Sequence, residues 1–515
     1  MTTHLVLGIR RPAIAARALG RAPRVGIAAL LLAVSLAPAA VAQRSMAGGA
    51  APAVVRDTFD RNVIPAAGET PALHVPAWTT ARLSNGAQLI VSPRHTLPLV
   101  SFSITFIGGA DQYEPAAKTG LASFTASMLS EGTTTRTGDE LSNALQMLGT
   151  SVRAGIGDES GSIGFLATKD KVQPVLEILQ DMMLHPSFPD SALERLRART
   201  LVALTQQKDR TGAIAARVFP KVLYTDAHPY GRSMTEETAR AITRDDIVAF
   251  HRAYFTPGHA IISVVGDVDP AAVRAMIERV LAPWQAAGAM PSFDYPPVPA
   301  PKPTTIYLVD KPGAAQSSFA IGLPGPPRDT PDYFALQVLN TILGGQFQSR
   351  LNADIREQKG YSYGVGSSFA FGKGPGPFEA GGDVVTAKTD SALIEFMKQL
   401  RGIRGAQPVS DSELVTAKDL LIQRLPRQFG SVSQVNGAIT NLYVNDLPPD
   451  YYQRYAAHVR AVTNADLARV ANRYIDVDHL AIVIVGDRKA IEGPLAATGI
   501  APIQVLSIDG DPVTK

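Results

Sequence analysis

The chain has 515 residues, of which 45% are hydrophobic and 18% are charged, as is typical of a globular protein with large apolar cores. The formal net charge at pH 7 is only +3, so the composition gives no reason to expect a nucleic acid or a strongly acidic ligand. The chain contains no cysteine, which excludes disulfides, thiolate metal sites and a lipoprotein anchor.

The first 42 residues have the pattern of a secretory signal peptide. Five arginines precede an apolar stretch, residues 25–37, that is short for a membrane span, and the tripeptide ending at Ala42 fits a small-x-small cleavage site. An uncleaved anchor or a transit peptide is the alternative interpretation. We expect cleavage after Ala42, export to a periplasm, and then a flexible leader, rich in Ala, Gly and Pro, over residues 43–76.

Regular structure is predicted from about residue 77 onward. A strand is predicted at residues 88–92 and another from Leu99, and the alternating residues 152–168 predict a hairpin. Apolar residues at helical spacing predict helices at 121–130, 139–148, 171–184 and 191–207.

The first predicted helix, "TGLASFTASM", carries small neutral residues where a helix usually presents charged ones to solvent. Leu121, Phe124 and Met128 form its apolar face, whereas Ser123 and Ser127 lie outside that face. Such a stripe either packs tightly against another element or marks positions that once held other residues.

A second copy of the fold is visible in the sequence. The segments that begin at Ile242 and Val462 share identical residues at one constant offset, and both predict a helix, a turn, an apolar strand and a Gly-Asp pair. The matched pairs include Thr243 with Thr463, Asp246 with Asp466, Tyr254 with Tyr474, and His259 with His479. The proline-rich residues 291–303 between the copies predict a stiff, extended linker. We therefore predict an α+β tandem duplication with domains at 77–290 and 304–508, each a mostly antiparallel sheet with helices laid on one face.

The usual catalytic motifs are missing from the sequence. None of the nine histidines lies three to five residues from another, as a helical zinc site requires, and no G-x-S-x-G, P-loop or dinucleotide-binding pattern is present. His259 and His479 could suggest a metal, but without neighbouring ligands each is interpreted as packing within its own half. The segment "FGKGPGPFEAGG" is interpreted as a loop or a hairpin turn.

Two stretches of the chain resemble the insulinase/pitrilysin family of zinc peptidases, which includes mitochondrial processing peptidase. "LSNGAQLIVSPRHTLPLVSFSITFIGGADQYEPAAKTGLASFTASMLSEGT" resembles its N-terminal half, and "LGGQFQSRLNADIREQKGYSYGVGSSF" resembles its C-terminal half. The likeness runs from about Thr79 to Asp487. It implies the LuxS/processing-peptidase-like metalloenzyme fold, in two homologous halves.

The resemblance also identifies what has been lost. In active members the helix after "TGLA" carries H-x-x-E-H, with two His ligands and a Glu general base, and a later helix adds a Glu ligand. The matching positions here are Ser123, Ala126, Ser127 and, on the later helix, Leu204. Because none of these side chains is a zinc ligand or a general base, we expect no metal on this chain and no peptidase activity of its own.

The C-terminal half keeps more of the family pattern. Active members have an Arg and a Tyr seven residues apart, which match Arg356 and Tyr363, and the resemblance implies that the pair holds substrate near the zinc of the other half. On spacing alone, the alternative is that Arg356 pairs with Glu357 or Asp354 on a helix and that Tyr363 lies in a core.

Gly344 and Gly345 are further candidate substrate-binding residues. They end the predicted helix "YFALQVLNTILGG", as a glycine C-cap does. In the non-catalytic subunit of processing peptidase, a glycine-rich loop at this place resembles a substrate-recognition flap. The loop of this chain is short by comparison.

The pair Arg356 and Tyr363 without a zinc site implies that substrate binding and catalysis are divided between two subunits. Bacterial members of the resembled family form heterodimers in which one subunit carries H-x-x-E-H and the other supplies the Arg/Tyr pair. The resemblance therefore implies the non-catalytic, substrate-binding subunit of a periplasmic zinc metallopeptidase that acts on peptides or unfolded segments, with zinc in the partner. The alternative is a scaffold or binding protein with no proteolytic role, and the missing His pairs argue against a self-sufficient enzyme. We expect no nucleic-acid partner and no membrane span after signal cleavage.

Overall fold

The computed structural model describes residues 73–285 and 293–513. The predicted signal peptide and most of the predicted leader lie outside the described residues, as do the first two residues of the predicted linker. The described residues all belong to one structural unit. Over the described residues, no helix combines the length and the apolar character that a membrane crossing requires.

The N-terminal half is built around a six-stranded sheet with the strand order β1-β2-β6-β3-β5-β4. Its strands are β1 (Thr79–Arg82), β2 (Gln88–Pro93), β3 (Leu99–Ile107), β4 (Arg153–Ile156), β5 (Ser160–Thr168) and β6 (Ala260–Gly266). Its helices are α1 (Ala110–Tyr113), α2 (Leu121–Met128), α3 (Gly138–Met147), α4 (Val172–Leu184), α5 (Asp190–Gln207), α6 (Thr211–Tyr224), α7 (Glu236–Ala241), α8 (Arg244–Tyr254) and α9 (Pro270–Val280). Neighbouring strands are antiparallel except for β2 and β6, which are parallel.

The C-terminal half repeats this plan with the strand order β12-β7-β11-β8-β10-β9. Its strands are β7 (Thr305–Asp310), β8 (Gln316–Pro324), β9 (Ser362–Phe369), β10 (Pro377–Val385), β11 (Ala481–Gly486) and β12 (Ile503–Leu506). Its helices are α10 (Tyr333–Leu343), α11 (Arg350–Asn352), α12 (Thr389–Arg401), α13 (Asp411–Arg424), α14 (Val432–Val444), α15 (Tyr451–Ala461), α16 (Asn464–Tyr474) and α17 (Arg488–Ala497). Strand β7 is parallel to both of its neighbours, and the other pairs are antiparallel.

The chain is thus a mixed α and β protein with two six-stranded sheets. The predicted helices correspond to α2, α3, α4 and α5, and the predicted hairpin corresponds to the antiparallel pair β4 and β5. Helices α8 and α16 both begin with a capping box, in which Thr243 pairs with Asp246 and Thr463 with Asp466. Two of the matched pairs in the sequence are therefore the helix-start signals of the repeated unit.

The central strands β6 and β11 are buried throughout, and apolar except for Ser263, because both faces of each sheet are covered. In β6, Ile262 and Val264 lie in the main N-terminal core, whereas Ile261 and Val265 lie in a second cluster on the opposite face. The residues of β11 alternate between two clusters in the same way. The largely apolar sequences of β6 and β11 therefore reflect the burial of each strand on both faces of its sheet.

Each sheet is covered on its second face by a helix from the other half. Helix α14 contributes Val435 and Ile439 to the cluster on the N-terminal sheet, and α6 contributes Val218 and Phe219 to the cluster on the C-terminal sheet. The two helices occupy the same place in the order of elements of their halves, so the exchange is reciprocal. The expectation of helices on one face alone is corrected, because an apolar strand does not reveal which distant helix will cover it.

A buried amide fastens α14 to the N-terminal sheet. The Asn436 Nδ2 donates hydrogen bonds to the carbonyl oxygens of Ser101 (3.1 Å) and Ser263 (3.2 Å). Its Oδ1 accepts a hydrogen bond of 2.9 Å from the Ser103 hydroxyl. Asn436 is buried, so these bonds satisfy polar groups that water does not reach.

A carboxylate joins the two halves and the predicted linker. Glu159, which precedes β5, accepts hydrogen bonds from the Tyr230 hydroxyl (2.5 Å) and from the Tyr295 hydroxyl (3.2 Å) in the linker. It also accepts a bond of 2.7 Å from the backbone nitrogen of Lys373, in the turn between β9 and β10. That turn corresponds to the Gly- and Pro-rich segment for which the sequence predicts a loop or a hairpin turn, and the structure shows the hairpin turn.

Candidate functional site

Helix α2 carries three of the four positions that hold the zinc-binding motif in the resembled family. Gly120 precedes it with a φ of 106°, a conformation that favours glycine. The Glu114 carboxylate accepts hydrogen bonds from the backbone nitrogens of Gly120 (2.9 Å) and Ala122 (2.5 Å), and so caps the start of the helix. Phe124 and Met128 are buried in the N-terminal core and fix the rotation of the helix.

The four motif positions do not form a metal site. Ser123 and Ser127 are exposed one turn apart on α2, whereas Ala126 is buried. Leu204, on α5, is part of the apolar core against which α2 packs. Within the two described ranges, no group of three His, Asp or Glu side chains is arranged to hold a metal ion. Two neutral hydroxyls, a methyl group and an isobutyl group do not fit zinc.

An acidic cavity lies beside Ser123. It has a volume of about 300 Å³ and is lined by Asp111, Glu114 and Asp158, with Arg232 as the basic residue among its lining side chains. Burial, together with the carboxylates of Asp158 and Glu159, raises the pKa of Asp111 to about 7. Burial also raises the pKa of Glu114 and that of Asp158. The cavity therefore brings together three carboxyl groups whose pKa values burial raises.

The raised pKa of Asp111 predicts a pH-dependent stability. Its ordinary pKa is 3.8, so the stabilising effect of protonation is complete below about pH 4 and is lost as the pH rises through about 7. We expect Asp111→Asn to raise Tm by about 1–3 °C at pH 8 and to have no effect at pH 4. Thermal unfolding across this range measures the difference. Asp419→Asn, at an exposed position, is the control, and an equal effect of both variants at every pH would contradict the prediction.

The two matched histidines pack separately. The Nδ1 of His259 shares a hydrogen bond of 3.1 Å with the Thr256 hydroxyl, and burial lowers the pKa of His259. The Nδ1 of His479 lies 2.6 Å from a carboxylate oxygen of Asp476. Each histidine thus contacts residues of its own half, as the sequence predicts.

Tyr363 lies at a β-bulge on an edge strand. Strand β9 is the last strand of its sheet, and its pairing with β10 shifts so that Ser362 and Gly364 have partners while Tyr363 has none. A bulge turns the side chain away from the regular alternation of the strand. The Tyr363 side chain is 90% exposed. The alternative interpretation of Tyr363 as a core residue is therefore wrong.

Arg356 lies in a π-helical turn, Ala353–Gln358, that continues α11 and packs against β9. Its guanidinium is 2.7 Å from a carboxylate oxygen of Glu357 and lies over the ring of Phe347, 4.4 Å from the centroid. The alternative interpretation, in which Arg356 pairs with a neighbouring carboxylate, is thus confirmed for Glu357. Asp354 does not take part, because its carboxylate accepts a hydrogen bond of 2.6 Å from Gln399.

Gly344 and Gly345 join α10 to the turn that precedes Arg356. Gly344 is the C-cap of α10, and its carbonyl oxygen accepts a hydrogen bond of 3.2 Å from the backbone nitrogen of Ser367 on β9. The backbone nitrogen of Gly345 donates to the Asn340 carbonyl oxygen at 2.7 Å. A Cβ atom at Gly344 would collide with the backbone of Ser367. The glycine is therefore required for the close approach of the loop and the strand.

We expect Gly344→Ala to displace this loop from β9 and to lower the free energy of unfolding by about 1–3 kcal/mol. The added methyl group meets backbone atoms, which are less able to move than the end of a side chain. Gly437→Ala is the matched control, because a Cβ there meets nothing within 4 Å on an exposed face of α14. Thermal and denaturant unfolding compare the two variants. If they have equal stability, the close contact does not matter.

Two features of this region are not predicted by the sequence patterns. Phe347 is an exposed aromatic residue in the loop, and its only sequence signal is its position between two glutamines. The cavity around Asp111 is formed by residues from separate segments, so no local pattern reveals it. Both features lie next to positions that the family resemblance identifies.

Comparison with known proteins agrees with this description. The family model "Insulinase (Peptidase family M16)" matches residues 90–228, and the model "Peptidase M16 inactive domain" matches residues 241–421, together more than half of the chain. The "Uncharacterized zinc protease YmxG" of Bacillus subtilis is 25% identical over 283 residues, which cover 55% of this chain and 67% of that protein. The "Non-peptidase homolog YmxG" of Helicobacter pylori is 22% identical over 405 residues, 78% of this chain and 92% of that protein.

A solved structure shares the fold. The crystal structure of a peptidase M16 inactive domain from Pseudomonas fluorescens matches with a TM-score of 0.73 at 25% identity, and the match covers 79% of this chain and 98% of that one. Both sequence and structure thus point to one family. The chain belongs to the insulinase family of peptidases, family M16, as an inactive member whose sequence contains no H-x-x-E-H motif.

Proposed function

We propose that this chain is the non-catalytic, substrate-binding subunit of a heterodimeric zinc metallopeptidase that acts on peptides or unfolded segments. The observation that carries the proposal is the exposure of Tyr363. A tyrosine that is 90% exposed at a bulge of an edge strand makes little contribution to the core. It is placed to contact another molecule, while α2 has no residue that could bind zinc.

Tyr363 and Arg356 would hold the backbone of the substrate. The phenol of Tyr363 donates one hydrogen bond, and a carbonyl oxygen that gains negative charge as it becomes tetrahedral accepts it more strongly than the starting amide does. The Arg356 guanidinium offers several donors in a fixed plane, and one of its nitrogens forms an ion pair with Glu357. Both groups recognise features common to all peptides, which suits a substrate with little side-chain specificity at this point.

An edge strand would accept an extended peptide. Strand β4 ends its sheet, so it has backbone donors and acceptors on one side that no neighbouring strand of the sheet uses. An unfolded segment can add to such an edge as a further strand. Folded proteins cannot do so, because their strands are already paired. Strand β9 also ends its sheet, but the backbone nitrogens of Val365 and Ser367 already donate to Asn352 and to the Gly344 carbonyl oxygen. In this proposal the edge of β4 is therefore the place where an unfolded segment would add as a strand.

The partner in this proposal is a family member with an intact H-x-x-E-H motif, and it would supply zinc and the general base. The "non-peptidase" name of the Helicobacter relative supports a non-catalytic role for chains of this kind. We further propose the LuxS/processing-peptidase-like arrangement of two half-shells around a chamber, and a periplasmic location that follows from the signal pattern in the first 42 residues.

Affinity purification of the tagged chain from the periplasm of its native host tests this proposal. We expect an H-x-x-E-H protein to co-purify in equal amount. The isolated chain is expected to contain less than stoichiometric zinc by elemental analysis and to leave an unfolded peptide intact, and addition of the partner is expected to produce cleavage. Co-purification with proteins other than peptidases, without cleavage in any mixture, would support the scaffold alternative. Cleavage by the isolated chain would contradict both functions.

A further inference from the structure

Phe347 is an exposed aromatic side chain in a polar loop, and the function proposed above does not use it. The loop connects α10 to α11, and Gln346 and Gln348 flank the ring in the sequence. Phe347 keeps 61% of its surface exposed. An exposed ring of this size is unfavourable in water, and rings of this kind recur as anchors in binding surfaces.

One face of the ring is covered by a residue of the candidate site. The Arg356 guanidinium carbon lies 4.4 Å from the ring centroid, within the range of a cation–π contact. Arg356 is at the same time paired with Glu357, which limits its movement. Phe347 is therefore held directly beside a candidate substrate-binding residue, with the rest of its surface open.

A buried amide fixes the backbone of Phe347 relative to Tyr363. Asn352 is 4% exposed, and its Nδ2 donates a hydrogen bond of 2.7 Å to the Phe347 carbonyl oxygen. Its Oδ1 accepts a hydrogen bond of 3.2 Å from the backbone nitrogen of Val365, two residues beyond Tyr363 on β9. The two bonds need one donor and one acceptor, which a side-chain amide supplies.

We propose that Phe347 is a specificity-determining residue that contacts an apolar side chain of the bound peptide, and that Asn352 is the residue that positions it beside Tyr363. This inference rests on the proposed peptide-binding function of the same site. Arg356 and Tyr363 hydrogen-bond to backbone groups, which do not distinguish one peptide from another. The open surface of Phe347 distinguishes them by the apolar area that it removes from water, so aromatic and large aliphatic side chains are preferred over alanine.

Peptide binding to the full chain tests this inference. Two fluorescent, unfolded peptides are used that differ only in a central Phe or Ala, and fluorescence anisotropy measures Kd for each. The unmodified chain is expected to prefer the Phe peptide about tenfold. Phe347→Ala is expected to bring the ratio of the two Kd values close to one, and Phe347→Leu to retain most of the preference. Met147→Ala removes a side chain that is 87% exposed in the other half, and it leaves the ratio unchanged.

Asn352→Asp tests the positioning role. The carboxylate still accepts from Val365 but no longer donates to the Phe347 carbonyl oxygen, so the ratio of the two Kd values is expected to fall several-fold. A general loss of stability changes both Kd values together and leaves their ratio intact, so the ratio separates positioning from folding. Phe347 is exposed, so its variants are expected to fold. They still test the inference if Asn352→Asp does not fold.

The outcomes separate this inference from the function on which it rests. If the unmodified chain binds neither peptide, both fail. If it binds both peptides with equal affinity, or if Phe347→Ala keeps the preference, the peptide-binding function stands and the role of Phe347 is overturned.

Discussion

In the proposed two-subunit peptidase, replacing Tyr363 by Phe is expected to lower kcat about 100-fold, with a much smaller change in KM. The substitution removes one hydroxyl from a residue that is 90% exposed, so we expect no change in the free energy of unfolding. The hydrogen bond is made more strongly to the tetrahedral state than to the starting amide, and an interaction of this kind affects turnover rather than binding.

Steady-state kinetics on the complex with its partner measures this effect. Tyr443→Phe is the matched control, because its hydroxyl accepts a hydrogen bond from the Trp78 indole at 3.1 Å, in a different region of the structure. It is expected to leave kcat unchanged. An unaltered kcat for Tyr363→Phe would remove the phenol from the proposed mechanism, and a rise in KM alone would assign it to ground-state binding.

Replacing Asn436 by Leu is expected to lower the free energy of unfolding by about 3–5 kcal/mol. Leucine has a similar size but offers no partner to the carbonyl oxygens of Ser101 and Ser263 or to the Ser103 hydroxyl. Each buried polar group that loses its partner costs about 1–3 kcal/mol. The effect is large because one side chain satisfies groups on two strands.

Denaturant unfolding followed by circular dichroism measures the loss. Gly437→Ala, at the next position of α14, is the control, and we expect it to stabilise the protein by about 0.5–1 kcal/mol because an exposed helical glycine is replaced. Asn436→Asp separates the two kinds of bond, since its carboxylate still accepts from Ser103 but no longer donates to the carbonyls. If Asn436→Leu is as stable as the unmodified protein, the amide does not hold α14 in place.

Local elements of this fold could be predicted from the sequence because their signals are local. The spacing of Leu121, Phe124 and Met128 predicts α2, and the alternation around the glycines at 155 and 157 predicts the β4–β5 hairpin. The constant offset between the repeats predicts two similar units. In each case the residues that form the sequence pattern lie within the element that it predicts. No contact with a distant part of the chain therefore has to be known.

The features of the candidate site depend on distant contacts, and the sequence could not supply them. Tyr363 is exposed at a register shift between β9 and β10. No residue type in "YSYGV" predicts this shift. The contact of Arg356 with Phe347 joins the π-helical turn after α11 to the loop before it. For Arg356, spacing alone correctly favoured a pair with Glu357 and gave no indication of the aromatic contact.

The reciprocal exchange of α6 and α14 also sets the order in which the chain completes its folding. As the polypeptide emerges, all strands of the N-terminal sheet are available long before α14 follows, and Ile90, Ile261 and Val265 then lack their cover. The finished protein therefore depends on contacts between segments far apart in the chain, which slows folding. The interval leaves an exposed apolar surface on the nascent polypeptide, so a chaperone that shields it until α14 is in place would improve the yield of native protein.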